Sequence, residues 1–151
     1  MLSSWSNAMF LALAEADRAG ELGDVPVGAV LLDADGNVVS SGHNRREQTG
    51  DPTAHAEIEA IRAAAQQRGH WRLSGLTLVC TLEPCPMCAA AISFARIRRL
   101  YYGADDPKGG AVESGVRLFE QPTCHWKPKV EGGLMAAESA EMLRAFFRAR
   151  R

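Results

Sequence analysis

Apolar residues recur at helical spacing near the start of the chain. Trp5, Met9, Ala12, Leu13 and Ala16 fall on one face of a helix over residues 5–18. The pattern then shortens to that of strands. "VPVGAVLLD" and "VVSSGHN" flank "DADGN", which predicts a hairpin turning at Gly36. "RREQTGDPT" is polar, contains Gly50 and Pro52, and predicts a loop. Alanines and alternating charges from Ala54 to Arg68 predict a second helix, with Asp51 or Thr53 as its cap and Pro52 suited to its first turn. "LTLVCTL" predicts a strand, "PMCAAAISFA" a short helix apolar enough to be buried, and "IRRLYYG" a further strand. "ADDPKGGAVESG" is a Gly-rich loop. Residues 116–133 carry a weaker pattern, a short helix over Val116–Glu120 and a short strand near Lys129–Gly132. "LMAAESAEMLRAFFRARR" closes the chain as an amphipathic helix with Met135, Met142, Leu143 and Phe146 inward.

The strand–helix–strand run between residues 76 and 102 requires parallel strands joined by a right-handed crossover. Combined with the hairpin, it predicts a mixed sheet with helices on both faces, an α/β layer sandwich. The chain has 151 residues, of which 46% are hydrophobic. That suits one domain with one sizeable core, so residues 1–151 are expected to form a single domain.

No stretch approaches the ~18 apolar residues that a membrane span needs. The N-terminus lacks a basic segment and carries Glu15 and Asp17, so it is expected to be an amphipathic helix rather than a signal peptide, in a cytoplasmic protein. A net charge of −1 gives no global signature of nucleic-acid binding. Its distribution says more. Arg96, Arg98 and Arg99 cluster in one place, and Arg144, Arg148, Arg150 and Arg151 crowd the C-terminus. Solvated helix-end charge is the plainest explanation for both clusters.

Four cysteines are too few for a disulfide scaffold, and a close pair in a cytosolic chain points to metal or redox chemistry. Cys85 and Cys88 lie three apart at a predicted helix start, so their sulfurs share a face. The positive helix end favours thiolate, and Pro86 fits the first helical position. "TAHAEIEA" places His55 and Glu57 at a second helix start. One imidazole and two thiolates make three protein ligands for zinc. Structural zinc sites usually have four, while catalytic ones leave a position open. Cys80, inside a strand, reads as core; Cys124 remains a rival fourth ligand. His43 could line a pocket, His70 reads as solvated, and His125 falls beside Cys124 and Trp126 in the segment of weaker pattern; for each an ordinary structural role is the plainer reading. Zinc lowers the pKa of a water it holds to about 7, and a carboxylate beside it can take that proton to a leaving group. Glu57 suits that task, and Glu59 reads as an ordinary surface acid. Residues two apart on a regular helix point about 200° apart, so His55 and Glu57 share a site only across an irregular helix end.

"HAE" followed by "PCPMC" matches the H-x-E…P-C-x-x-C signature of zinc deaminases. With "DVPVGAV", "HNR", "DPTAHAE", "TLEPCPMCAAA", "YYGADDPKGG" and "LRAFFRARR", nearly the whole chain resembles the bacterial tRNA-specific adenosine deaminases. That resemblance implies a three-layer α/β/α cytidine deaminase-like fold with a mixed sheet of about five strands. It implies zinc held by His55, Cys85 and Cys88, with Glu57 as the proton shuttle. The implied reaction is hydrolysis of adenosine to inosine at the wobble position of an anticodon, usually of arginine tRNA, by a homodimer. Asn44 matches a residue that contacts the flipped-out nucleoside, Asp106 and Lys108 match residues near the RNA, and Phe146, Phe147 and Arg148 match a helix lining the anticodon-loop groove. On that reading the C-terminal arginines grip one RNA loop. The chain departs from the family where "VESGVRLFEQPTCHWKP" follows the Gly-rich loop. Two other readings remain: a deaminase of free nucleobases or nucleosides of guanine or cytosine type, and a zinc-stabilised interaction module with Cys124 as fourth ligand.

Overall fold

The computed structural model describes residues 2–150 in backbone and 5–150 in side chain; Arg151, counted above among the C-terminal arginines, lies outside them. In chain order the elements are α1 (Leu2–Glu21), β1 (Gly28–Leu32), β2 (Val38–His43), α2 (Arg46–Thr49), α3 (Ala56–Arg68), β3 (Thr77–Leu82), α4 (Pro86–Phe94), β4 (Arg99–Ala104), a 3-10 turn (Leu118–Glu120), β5 (Lys129–Glu131) and α5 (Ala136–Arg148). The strands form one five-stranded sheet in the order β2-β1-β3-β4-β5. β1 pairs antiparallel with both β2 and β3, while β3, β4 and β5 run parallel. The sheet is therefore mixed, as the hairpin and the crossover predict.

Alternation along the strands divides the core between the two faces. Ala29, Leu31, Leu78, Cys80, Leu100 and Tyr102 pack with alanines of α3 and with Ala89 and Ile92 of α4. Val30, Leu32 and Val79 pack on the other face against Met9, Ala12 and Leu13 of α1, with Met135 and Met142 at its margin. Trp5 stacks on Tyr101 with ring centroids 4.8 Å apart. The layers are thus α/β/α.

Two glycines let helices lie directly on the sheet. A Cβ on Gly42 of β2 would stand 2.6 Å from the Ala56 carbonyl oxygen and 2.8 Å from the Ala60 nitrogen of α3. Gly28 of β1 plays the same part beneath Ala12 and Ala16 of α1. The Gly42 contact seats the N-terminal half of α3, which carries Glu57.

Two helix starts differ from expectation. The segment read as a loop contains α2, because the buried Asp24 carboxylate accepts the amides of Glu47 (2.6 Å) and Gln48 (3.2 Å). A cap supplied from another segment leaves no mark in "RREQTG". α3 begins at Ala56 rather than Ala54, and neither Asp51 nor Thr53 caps it. Asp51 instead accepts the Thr53 amide at 2.8 Å and its hydroxyl at 2.7 Å, closing a turn of its own before the helix. Pro52 lies in that turn.

Candidate functional site

Two helix N-termini meet at the C-terminal edge of β3. Cys85, extended at φ −73° and ψ 173°, is the residue before α4, and Pro86 opens that helix. His55, extended at φ −74° and ψ 155°, stands in the same place before α3. Because His55 lies outside the helical turn, the 200° separation of a regular helix does not apply. Its ring and the Glu57 carboxyl line the same cleft. His55 Nδ1 lies 3.5 Å from the Cys85 sulfur and 3.5 Å from the Cys88 sulfur. Zn–S bonds of about 2.3 Å and Zn–N bonds of about 2.0–2.1 Å, set tetrahedrally, put nitrogen and sulfur about 3.5 Å apart. Among the described residues these three form the one cluster of side chains gathered closely enough to hold a metal ion. Their spacing and donor chemistry fit zinc.

The electrostatics match this donor set. The bond from Cys88 is the main cause holding the Cys85 thiol down at about 4; burial opposes it, and His55 adds to it. The same bond and burial push the Cys88 thiol up. Bonding to Cys85 raises His55 against the effect of burial. Protons here occupy the space between facing donors, and a divalent cation would replace them. Glu57 is only 4% exposed, and burial raises its carboxyl to about 7. A buried carboxyl that titrates near neutrality can both accept and return a proton.

The cleft holds about 250 Å³ and is walled by Val25, Asn44, His55, Glu57, Cys85 and Asp106, among others. Asn44, 6% exposed, is fixed by donating from Nδ2 to the Val25 carbonyl (3.1 Å) and by accepting the Arg46 amide at Oδ1 (3.3 Å). Lys108 sits exposed on the loop between Asp106 and Gly109, both of which border the cleft. A second hollow of about 430 Å³ shares Val25, Asn44 and Arg46 with the cleft and adds Phe146 and Arg150 of the C-terminal segment. Arg150 lies over the Phe146 ring, 3.5 Å from its centroid. Phe147 and Arg148 do not join them. They border a separate depression with Leu143 and Arg144, and Arg148 donates to Glu141 at 2.8 Å.

Cys80 is fully buried within β3. Cys124 lies beside Ser93, its sulfur donating to the Trp126 carbonyl at 3.1 Å, and does not join the His55 cluster. His43 pairs through Nδ1 with Glu15 at 2.9 Å, away from the cleft. His70 and His125 are exposed. Glu59 is tied to Arg45 (3.3 Å) and Arg62 (2.7 Å). Two residues of the site escape the sequence reading: Arg46, which borders the cleft, and Glu83, a cleft-lining carboxylate that is 2% exposed. The one trace of Glu83 in the sequence is an acid placed where an apolar strand runs into the cysteine turn.

Residues 3–104 match the family model of the cytidine and deoxycytidylate deaminase zinc-binding region. The chain is 63% identical over 143 residues to a tRNA-specific adenosine deaminase of Agrobacterium fabrum, covering 95% of this chain and 93% of that one. A structure solved in work on A-to-I editing by tRNA:A34 deaminases at the wobble position of transfer RNA superposes with a TM-score of 0.89. It is 62% identical, and the match covers 91% of this chain and 99% of that one. Guanine deaminase from Nitrosomonas europaea shares the fold, with a TM-score of 0.77 at 24% identity over 93% of this chain and 83% of its own. The chain belongs to the cytidine and deoxycytidylate deaminase zinc-binding family, and within it to the tRNA-specific adenosine deaminases.

Proposed function

We infer that this chain converts adenosine to inosine at the wobble position of a tRNA anticodon, releasing ammonia. One observation carries the reading. Three metal donors, not four, gather in an open cleft beside a buried carboxyl that titrates near 7. His55, Cys85 and Cys88 would hold zinc, which when bound would supply a water activated for attack near neutral pH. Glu57 takes one proton from the attacking water and passes it to the ring nitrogen next to the attacked carbon; it then takes the second from the hydroxyl now bonded to that carbon and delivers it to the departing amine, which leaves as ammonia. Asn44, braced on both sides, meets the nucleoside. The cleft admits one base, so the target must leave its stack, and an anticodon loop offers bases already splayed.

Several features support a tRNA over a free base. Phe146 and Arg150 line the hollow that adjoins the cleft, and Arg46 borders both spaces. They provide a stacking ring and guanidinium groups for the nucleotides beside the target. Asp106 and Lys108 sit on the loop that borders the cleft, and Phe147 and Arg148, in a separate depression on α5, are proposed as the more distant and weaker RNA contacts. Arginine tRNA is the proposed substrate.

A homodimer is proposed as well. Phe94, 70% exposed, lies on the outer side of α4 with the half-buried Met87, Ala90 and Ala91, an apolar strip that a second copy would cover. The reading treats residues 1–151 as one zinc-dependent deaminase domain acting in the cytoplasm; no helix of the described residues is long and apolar enough to cross a membrane.

The test offers the zinc-loaded protein an anticodon stem-loop with adenosine at the wobble position, and separately free adenosine, guanine and cytidine. Ammonia release from the stem-loop alone is the expected result. Turnover of a free base or nucleoside without RNA would assign the chain to small-molecule deamination instead.

A further inference from the structure

We propose that Glu83 is a positioning residue: its carboxylate holds the 105–114 loop as one wall of the cleft and so governs substrate capture. The proposal rests on the RNA-deaminase reading above. Glu83 follows β3 and precedes the cysteine turn, and its own amide is anchored to the Ala104 carbonyl of β4 at 2.9 Å. Five donors converge on its two oxygens. Oε1 accepts the Asp106 amide and the Ser114 hydroxyl, both at 2.9 Å. Oε2 accepts the amides of Val112 (3.1 Å), Glu113 (2.8 Å) and Ser114 (2.9 Å). All five donors belong to one loop, and four are backbone groups whose positions define its path.

Every one of the five partners offers an N–H or O–H, and a carboxylate is the side chain that accepts on both oxygens at once. The loop is built around this anion at close range. A Cβ on Gly110 would stand 2.5 Å from the Glu83 carboxyl carbon and 2.6 Å from Oε1, so only glycine lets the backbone pass there. The Ala111 amide continues the contact, donating to the Pro84 carbonyl at 2.8 Å. The ends of this brace matter to the site: Asp106 and Gly109 border the cleft, and Lys108 lies between them. One acid thus ties the turn that presents Cys85 to the loop that faces the substrate.

A packing role and a positioning role differ in what they tolerate. Glutamine fills the volume of glutamate, yet its amide N–H groups would face amides that also donate. Glu83→Gln is therefore neutral if the residue only packs, and disruptive if its five acceptor contacts shape the loop. Gly110→Ala keeps Glu83, but its methyl would meet both the Glu83 carboxylate and the Asp106 carbonyl oxygen (2.6 Å), so it disturbs the same brace from the loop side.

Both variants are compared with wild type, zinc-loaded, by metal content, amide hydrogen exchange and steady-state deamination of the wobble-adenosine stem-loop. The expected result is zinc at the wild-type ratio, faster exchange at Asp106, Val112, Glu113 and Ser114 with α3 and α4 unchanged, KM raised about tenfold or more, and kcat within about threefold. Unchanged exchange and KM in Glu83→Gln would overturn the proposal. So would a fall in kcat at constant KM, or loss of zinc and fold in both variants. The exchange measurement needs no substrate, so it judges the brace even if wild type proves inactive on the stem-loop, a result that would instead remove the functional reading.

Discussion

Glu57 shows how much a single position can do. Its neighbour Glu59 is also acidic and sits on the same helix, but two arginines claim it. Glu57 has no such partner and is buried, so its proton is held to about pH 7. Replacing Glu57 with alanine should leave three metal donors in place and remove the proton carrier. Zinc content should stay at wild type while kcat falls at least about a hundredfold; metal analysis beside a deamination assay checks it. The C-terminal arginines separate at the same scale. Arg150 lies over Phe146 in the hollow beside the cleft, whereas Arg148 is bound to Glu141 on another surface. Arg150→Ala should raise KM for the stem-loop several-fold, about what one phosphate or stacking contact contributes, and Arg148→Ala should raise it less. Equal effects would place the RNA along the outer side of α5 as well.

At the scale of elements, the site depends on where two helices begin. Gly42 lets the backbone of α3 rest on β2, which puts His55 and Glu57 at the edge of the sheet. A methyl there would meet the Ala56 oxygen and the Ala60 nitrogen at 2.6 and 2.8 Å. Gly42→Ala should cost about 1–3 kcal/mol of stability, the usual range for overpacking, and should weaken zinc retention by tilting α3. Thermal unfolding and metal analysis of the purified variant test both effects. Helix starts are also where sequence and structure part company. The periodicity of α1 and α5, the alanine-rich charged run of α3, the apolar run of α4 and the hairpin around Gly36 are local patterns, and all are legible. The cap of α2 is not, because Asp24 reaches its amides from 23 and 24 residues upstream. Nor is the brace at Glu83, whose partners lie 23 to 31 residues further on. His55, Cys85 and Cys88 could be grouped because the chemistry of zinc limits which side chains combine and how many. No comparable rule singles out an acid that binds only amides and a hydroxyl.

On the scale of the whole molecule, a parallel β3–β4 pair brings the C-terminal edge of the sheet, the cysteine turn and the 105–114 loop to one place. The outer side of α4 stays apolar, with Phe94 at its end. If the proposed dimer forms through this strip, wild type should sediment as a dimer and Phe94→Arg as a monomer; a monomeric wild type would remove the dimer, and a dimeric variant would move the interface elsewhere. The near-neutral net charge and the local guanidinium groups suit a protein that grips one RNA loop rather than coating a duplex. The most direct test of that account uses an anticodon stem-loop whose one adenosine is at the wobble position. Wild type and Glu57→Ala, each loaded with one zinc per chain, are incubated with it, and the RNA is read by mass spectrometry. The account predicts that wild type converts the adenosine to inosine with loss of ammonia, while Glu57→Ala leaves the RNA unchanged. An unmodified stem-loop after wild-type treatment, or equal conversion by both proteins, would contradict it.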